Sequence, residues 1–147
     1  MSSASAKTSR RPRLYLDTSA YLCMLLGEAG SERLSDETAR AELLSSVLLV
    51  LEARRNLIRL AREGALATGD YEICLGRVEQ DTSLLVLRDL TLDLCQSAVL
   101  PAVTTPRSLD LVHLRSALWF HAADRIDRFV TLDVAQQQSA RELGLPV

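Results

Sequence analysis

Arg13-Leu14-Tyr15-Leu16-Asp17-Thr18-Ser19-Ala20-Tyr21-Leu22 is the stretch on which the reading of this chain turns. Leu14, Tyr15 and Leu16 form a short apolar run with strand character. The run stops at Asp17-Thr18-Ser19, and the apolar residues that follow, Leu22, Leu25 and Leu26, have helical spacing. A strand that ends on an acid and turns straight into a helix is the junction at which open α/β sheets present chemistry, because ligands sit outside the carboxyl ends of parallel strands. Asp17 is therefore expected at the lip of a site, with Thr18 or Ser19 as its hydroxyl partner. Asp, Thr and Ser are also the preferred helix N-caps, so capping alone accounts for Asp17 equally well.

Outward from this junction, strand and helix signals alternate. A helix is expected over residues 19–26, broken by residues 27–30, and a short one over residues 31–40. Residues 41–45 read as a second strand. The longest helical signal, residues 46–63, ends at Gly64, with Val47, Val50, Leu51, Leu57, Ile58 and Ala61 as its packing stripe. Glu52 lies off that stripe. A helix from Gly69-Asp70 to about residue 80 precedes a third strand at residues 84–87, apolar enough to be covered on both faces. Thr91 is expected to cap a helix reaching Leu100, and Ser108 a helix over residues 109–122. A fourth strand at residues 129–132 ends in Asp133, a last helix spans residues 134–143, and residues 145–147 suit a short terminal strand. The pattern predicts one α/β domain with a central, mostly parallel sheet of four or five short strands flanked by helices, preceded by a disordered tail over residues 1–12.

Composition narrows the function. At 147 residues and 48% hydrophobic content the chain can bury a real core in one domain. A net charge of −2 argues against a module that only binds nucleic acid. Lys7 is the sole lysine beside 16 arginines, which removes P-loop and Schiff-base chemistry and favours planar, bidentate phosphate recognition. Cys23, Cys74 and Cys95 are too far apart for a metal motif and read as buried thiols of a reducing, cytoplasmic protein. No apolar run approaches the length that spans a membrane.

Four acids stand out by position. Asp17 and Asp133 end strands, Asp110 lies in the first turn of a helix, and Glu52 lies in the long helix after the second strand. Strand carboxyl ends and the following helix N-termini share one edge of a parallel sheet, so three of these acids fall on one rim and Glu52 is within reach of it. Each has a simpler explanation as a cap, a dipole partner or a surface ion pair. Together they would repel unless a cation or raised pKa values offset the charge. Mg²⁺ or Mn²⁺ suits an all-oxygen site and leaves positions for phosphate. Arg54, Arg55, Arg59 and Arg62 line the long helix as either a solvated face or phosphate contacts. His113, one turn from Asp110, reads as a packed or hydrogen-bonded histidine rather than a base, and Asp127 is the substitute should Asp133 point away.

Leu16-Asp17-Thr18-Ser19-Ala20, the segment from Ser46 to Glu52 with Arg54-Arg55, Leu109-Asp110-Leu111-Val112-His113-Leu114 and Val130-Thr131-Leu132-Asp133 resemble the successive motifs of PIN-domain ribonucleases. Within them the chain is most similar to the VapC toxin group of type II toxin–antitoxin systems, over residues 13–147. The resemblance implies an RNA-cleaving enzyme with Mg²⁺ or Mn²⁺ and a catalytic set of Asp17, Glu52, Asp110 and Asp133. Asp17 and Asp110 would be primary ligands, and Glu52 and Asp133 would complete the site. Thr18, Ser19 and Thr131 would supply hydroxyls, with Arg55 and Arg59 as phosphate contacts. It also implies a homodimer and a VapB-type antitoxin partner. Two departures are an Asp110–Asp133 interval longer than usual and Val134 where a polar residue is common. The alternatives are a receiver-type phosphoacceptor domain, for which a strand-end Lys is missing, and a non-catalytic PIN scaffold that binds RNA or protein.

Overall fold

The computed structural model describes residues 9–96 and 101–147. Four strands, β1 (Arg13–Leu16), β2 (Glu42–Ser46), β3 (Val86–Arg88) and β4 (Arg128–Val130), form one sheet in the order β3-β2-β1-β4, and every pair is parallel. The expected α/β architecture is present, consistent with a PIN-like fold. Seven helices flank the sheet among the described residues: α1 (Thr18–Leu26), α2 (Ser31–Thr38), α3 (Leu48–Arg62), α4 (Thr68–Thr82), α5 (Leu92–Gln96), α6 (Ser108–Ala123) and α7 (Val134–Glu142). None of the described helices is long and apolar enough to cross a membrane.

The strand alternation of β1 builds two cores. Tyr15 points to one face, where it stacks on Phe129 at 5.3 Å and packs with Leu114, Ala117 and Phe120 of α6. Leu14 and Leu16 point to the other, against Ala20, Cys23 and Leu34 of α1 and α2. A third cluster, Tyr21, Leu49, Ala53, Leu57 and Val78, joins α1, α3 and α4.

Several expectations are corrected. Residues 10–12 are docked: Arg10 pairs with Asp124 at 3.0 Å and Asp127 at 3.1 Å, and Pro12 O accepts from Glu42 N at 2.8 Å. Residues 1–8 lie outside the described residues, as do Val99 and Leu100 at the end of the helix expected after Thr91. β3 is a sheet edge and is not covered on both faces: Val86 is exposed and Leu87 and Arg88 are half-buried, whereas the other edge strand, β4, is buried at Phe129 and Val130. Residues 145–147 form no strand, although Pro146 O accepts from Phe129 N at 2.7 Å. Ser108 lies inside α6, and the cap position is Arg107 with no side-chain cap bond. Cys23 is buried, but Cys74 is half-buried and Cys95 exposed.

The packing stripe of α3 is met in part: Leu57 is buried and Val50 packs beside it, but the stripe is rotated from the expected one. Leu49, Ala53 and Leu57, at i, i+4 and i+8, are buried, whereas Leu51 is 66% and Ile58 48% exposed. The first turn carries leucine or valine at every position, so periodicity there does not select a face. The two leucines should separate cleanly in urea unfolding. Leu57→Ala is expected to cost about 2–5 kcal/mol, and Leu51→Ala less than about 0.5 kcal/mol.

Candidate active site

Strand order reverses between β1 and β4, and both strands end at the same sheet edge. Such a switch point opens a crevice beyond the strand ends. Asp17 follows β1 there and is 5% exposed. Its Oδ1 accepts from Ser19 Oγ at 2.7 Å and Ala20 N at 3.1 Å, and its Oδ2 accepts a short hydrogen bond from Thr131 Oγ1. Asp17 is thus a helix cap and a rim acid at once. Burial pushes its carboxyl pKa up, against the hydrogen bonds from Ser19, Thr131 and Ala20 and the charge of His113. The loop after β4 is bound to the same group: Leu132 N donates to Ser19 Oγ at 2.9 Å, and Asp133 N to Thr131 Oγ1 at 3.1 Å.

Asp133 caps α7 through Oδ1, which accepts from Gln136 N at 3.1 Å. Asp110, in the first turn of α6, accepts from Thr105 Oγ1 at 2.7 Å through Oδ2. Arg107 joins the two acids. Its Nε donates to Asp110 Oδ2 at 2.8 Å and its Nη2 to Asp133 Oδ2 at 3.2 Å. Two carboxylates from separate elements therefore share one cation supplied by the chain itself.

Glu52 reaches the rim from α3. Its Oε1 accepts from Thr18 Oγ1 at 2.7 Å and from His113 Nε2 at 2.9 Å. Burial raises the Glu52 pKa, but the bonds from His113 and Thr18, with the charges of His113 and Arg55, outweigh it and hold the carboxyl below its ordinary value. A carboxylate has acceptors only, so the Nε2 proton of His113 is directed at Glu52. The other ring nitrogen, Nδ1, lies 2.9 Å from the hydroxyl of the fully buried Tyr15. The expectation of a hydrogen-bonded His113 holds, yet it is a member of the site. The sequence signal was its i+3 spacing from Asp110 on α6. Arg107 lies three residues before Asp110, and nothing in that spacing says where an exposed arginine points.

Other candidates fall elsewhere. Asp127 lies at the opposite sheet edge, where it accepts from Arg13 N at 2.8 Å, so it does not substitute for Asp133. Arg59 pairs with Glu63 at 3.0 Å, but it also lines an open groove with Ser19, Leu22, Asn56, Leu132 and Asp133. His121 accepts from Ile126 N at 3.1 Å, a structural role. Trp119 is half exposed, with the Arg88 guanidinium 4.6 Å from its ring centre.

Among the described residues, no three His, Cys, Asp or Glu side chains gather into one metal-ligating group. The acids instead form two neighbouring parts, Asp110 with Asp133 and Glu52 with His113, with Asp17 and its hydroxyls beside them. No protein-family model matches the chain, and no curated protein matches it.

The two shifted acids have opposite linkage. Asp17, with a raised folded pKa, binds its proton more tightly in the folded state, so stability is lost as pH rises from the ordinary aspartate range through that raised value. Glu52, with a lowered folded pKa, stabilises the fold above the ordinary glutamate range, and this is lost as pH falls through its lowered value. Asp17→Asn mimics the protonated acid. It is expected to raise Tm at neutral pH by on the order of a few degrees, with the difference from wild type vanishing at about pH 3. Thermal melts across pH check this, and a lower Tm for the variant at neutral pH would contradict it.

Proposed function

We propose that this chain is a Mg²⁺- or Mn²⁺-dependent endoribonuclease of the PIN-domain type, the cytoplasmic toxin of a type II toxin–antitoxin pair. The observation that carries the reading is the sharing of one guanidinium by Asp110 and Asp133 beside the buried Asp17. Acids from the end of β4 and the start of α6 thus share one cationic position, and Asp17 at the end of β1 is tied to the Asp133 loop through Thr131.

The donor set fits a hard divalent ion of the Mg²⁺ type, which keeps several waters and needs one or two carboxylates rather than an all-protein cage. Asp110 and Asp133 are the residues assigned to hold it. Asp17, whose two oxygens already accept three hydrogen bonds, acts behind them through Ser19 and Thr131. A divalent ion bound there would polarise a phosphodiester and lower the pKa of its water. Glu52, ionised under the hold of His113 and Thr18, keeps a negative charge at the rim and accepts hydrogen bonds from an attacking water. Thr131 and Ser19 fix the two loops so that the acids need no rearrangement to meet substrate.

The groove bearing Asn56 and Arg59 runs from Ser19 and Asp133 and suits a single RNA strand, with Arg55 on the same helix as a further phosphate contact. Cleavage by water would leave a 3′-hydroxyl and a 5′-phosphate. A VapB-type antitoxin would present a basic, amphipathic segment to the acidic rim. Exposed Leu51, Ile58 and Ile73 offer apolar surface for a second copy in a homodimer.

The test is digestion of total cellular RNA by the purified protein with Mn²⁺, with EDTA, and with Asp17→Asn and Asp110→Asn in parallel. Discrete fragments are expected with Mn²⁺ alone, with EDTA abolishing them and each variant losing about 100-fold or more in rate. Undiminished cleavage by Asp110→Asn would overturn the site. No cleavage together with no Mn²⁺ binding would favour a scaffold without catalysis.

A further inference from the structure

Arg107 has a property that its role as an ion-pair partner does not require. Its side chain is 68% exposed, yet its guanidinium is held at two acids 23 residues apart in the chain. The acids do not depend on it for their positions. Asp133 is fixed by Gln136 N through Oδ1, and Asp110 by Thr105 Oγ1. Thr105 is itself pinned, its N donating to Ser139 Oγ at 2.9 Å, and the Asp110 carbonyl accepts from Gln136 Nε2 at 3.1 Å. Removing the guanidinium would leave both carboxylates in place with Asp133 Oδ2 free.

Arg107 stands at the cap position before α6, with extended backbone and no side-chain cap bond, so the helix does not need its side chain. Exposed ion pairs are weakly held. Its hydrogen bonds among the described residues use Nε and Nη2, which leaves Nη1 donors for another anion. A monovalent guanidinium offsets half the charge of the acid pair, and a divalent cation offsets all of it, so the two compete for one place.

We infer that Arg107 is the phosphate-binding arginine of this site, paired with Asp110 and Asp133 until a divalent cation takes that position and releases it to an RNA phosphate. The inference rests on the nuclease reading and assigns it a substrate-binding residue. A planar guanidinium leaving one oxygen pair meets another of matching geometry in the phosphate. Ion loading and RNA binding are thereby coupled through one side chain.

The coupling gives two effects of opposite sign. Arg107→Ala should bind Mn²⁺ about 3- to 10-fold more tightly than wild type, because its competitor is gone. It should bind a labelled single-stranded oligoribonucleotide, with Ca²⁺ replacing Mn²⁺ to prevent cleavage, about 10-fold more weakly. Arg107→Lys keeps a charge on the acids and should leave Mn²⁺ affinity closer to wild type while still weakening RNA binding. Calorimetry and fluorescence anisotropy read the two, and circular dichroism confirms folding; the lysine variant decides should the alanine variant be misfolded. Unchanged or weaker Mn²⁺ binding by Arg107→Ala, or unchanged RNA binding, would overturn the inference while leaving the nuclease reading intact. Absence of Asp110-dependent Mn²⁺ binding in wild type would instead remove that reading, and this one with it.

Discussion

β1 and β4 pair in parallel, and the ladder is extended past Leu16 by the Asp17 N–H donating to Val130 O at 3.1 Å. That bond sets the level at which two separate loops leave the sheet. The short hydrogen bond from Thr131 to Asp17 then closes them together, and Ser19 completes the link by accepting from Leu132 N. Asp133 depends on this closure. Asp133 is placed by the same loop, its own N–H donating to Thr131, and α7 begins from it. A shift of one residue in the β1–β4 register would move Tyr15 out of its stack with Phe129 and Asp17 away from Thr131 together.

The site carries its charge at a cost to the fold. Asp17 is a buried acid whose ionised form is disfavoured, and three hydrogen bonds only partly offset that. Glu52 is treated in the opposite way. His113 and Thr18 hold it ionised, and His113 is held in turn by a tyrosine in the centre of the core. The core packing of Tyr15 and the electrostatics of Glu52 are therefore one construction: the face of β1 that stacks on Phe129 is also the face that orients the histidine. This gives the largest fully buried side chain of the core a polar duty at its tip.

The arginines divide by location rather than by type. Arg10 ties the entry of the chain to Asp124 and Asp127, and Arg59 makes an i,i+4 pair on α3. Such exposed pairs contribute little stability. Arg107 differs because its two partners come from the starts of two helices, α6 and α7, that converge at the switch point. Its surroundings give it significance that its exposure does not.

Strand–helix alternation, the βα junction at Asp17, and the acids at the ends of β1 and β4 were legible in the sequence, because burial on both faces of a parallel sheet makes short apolar runs and because chain direction alone assigns strand ends to one edge. The same argument placed Asp110 at that edge; only the sheet put Asp127, the expected substitute for Asp133, at the far end, on Arg13 N. The buried face of α3 was not legible, since Leu48, Leu49, Val50 and Leu51 are apolar all round the first turn and the choice of face belongs to the neighbouring α1 and α4. Nor were the partners of His113 and Arg107. Local sequence determines which side chains a helix presents and at what spacing. Which partner each one meets is decided by packing between elements far apart in the chain: Tyr15 with His113 across 98 residues, Glu52 with His113 across 61, and Arg107 with Asp133 across 26.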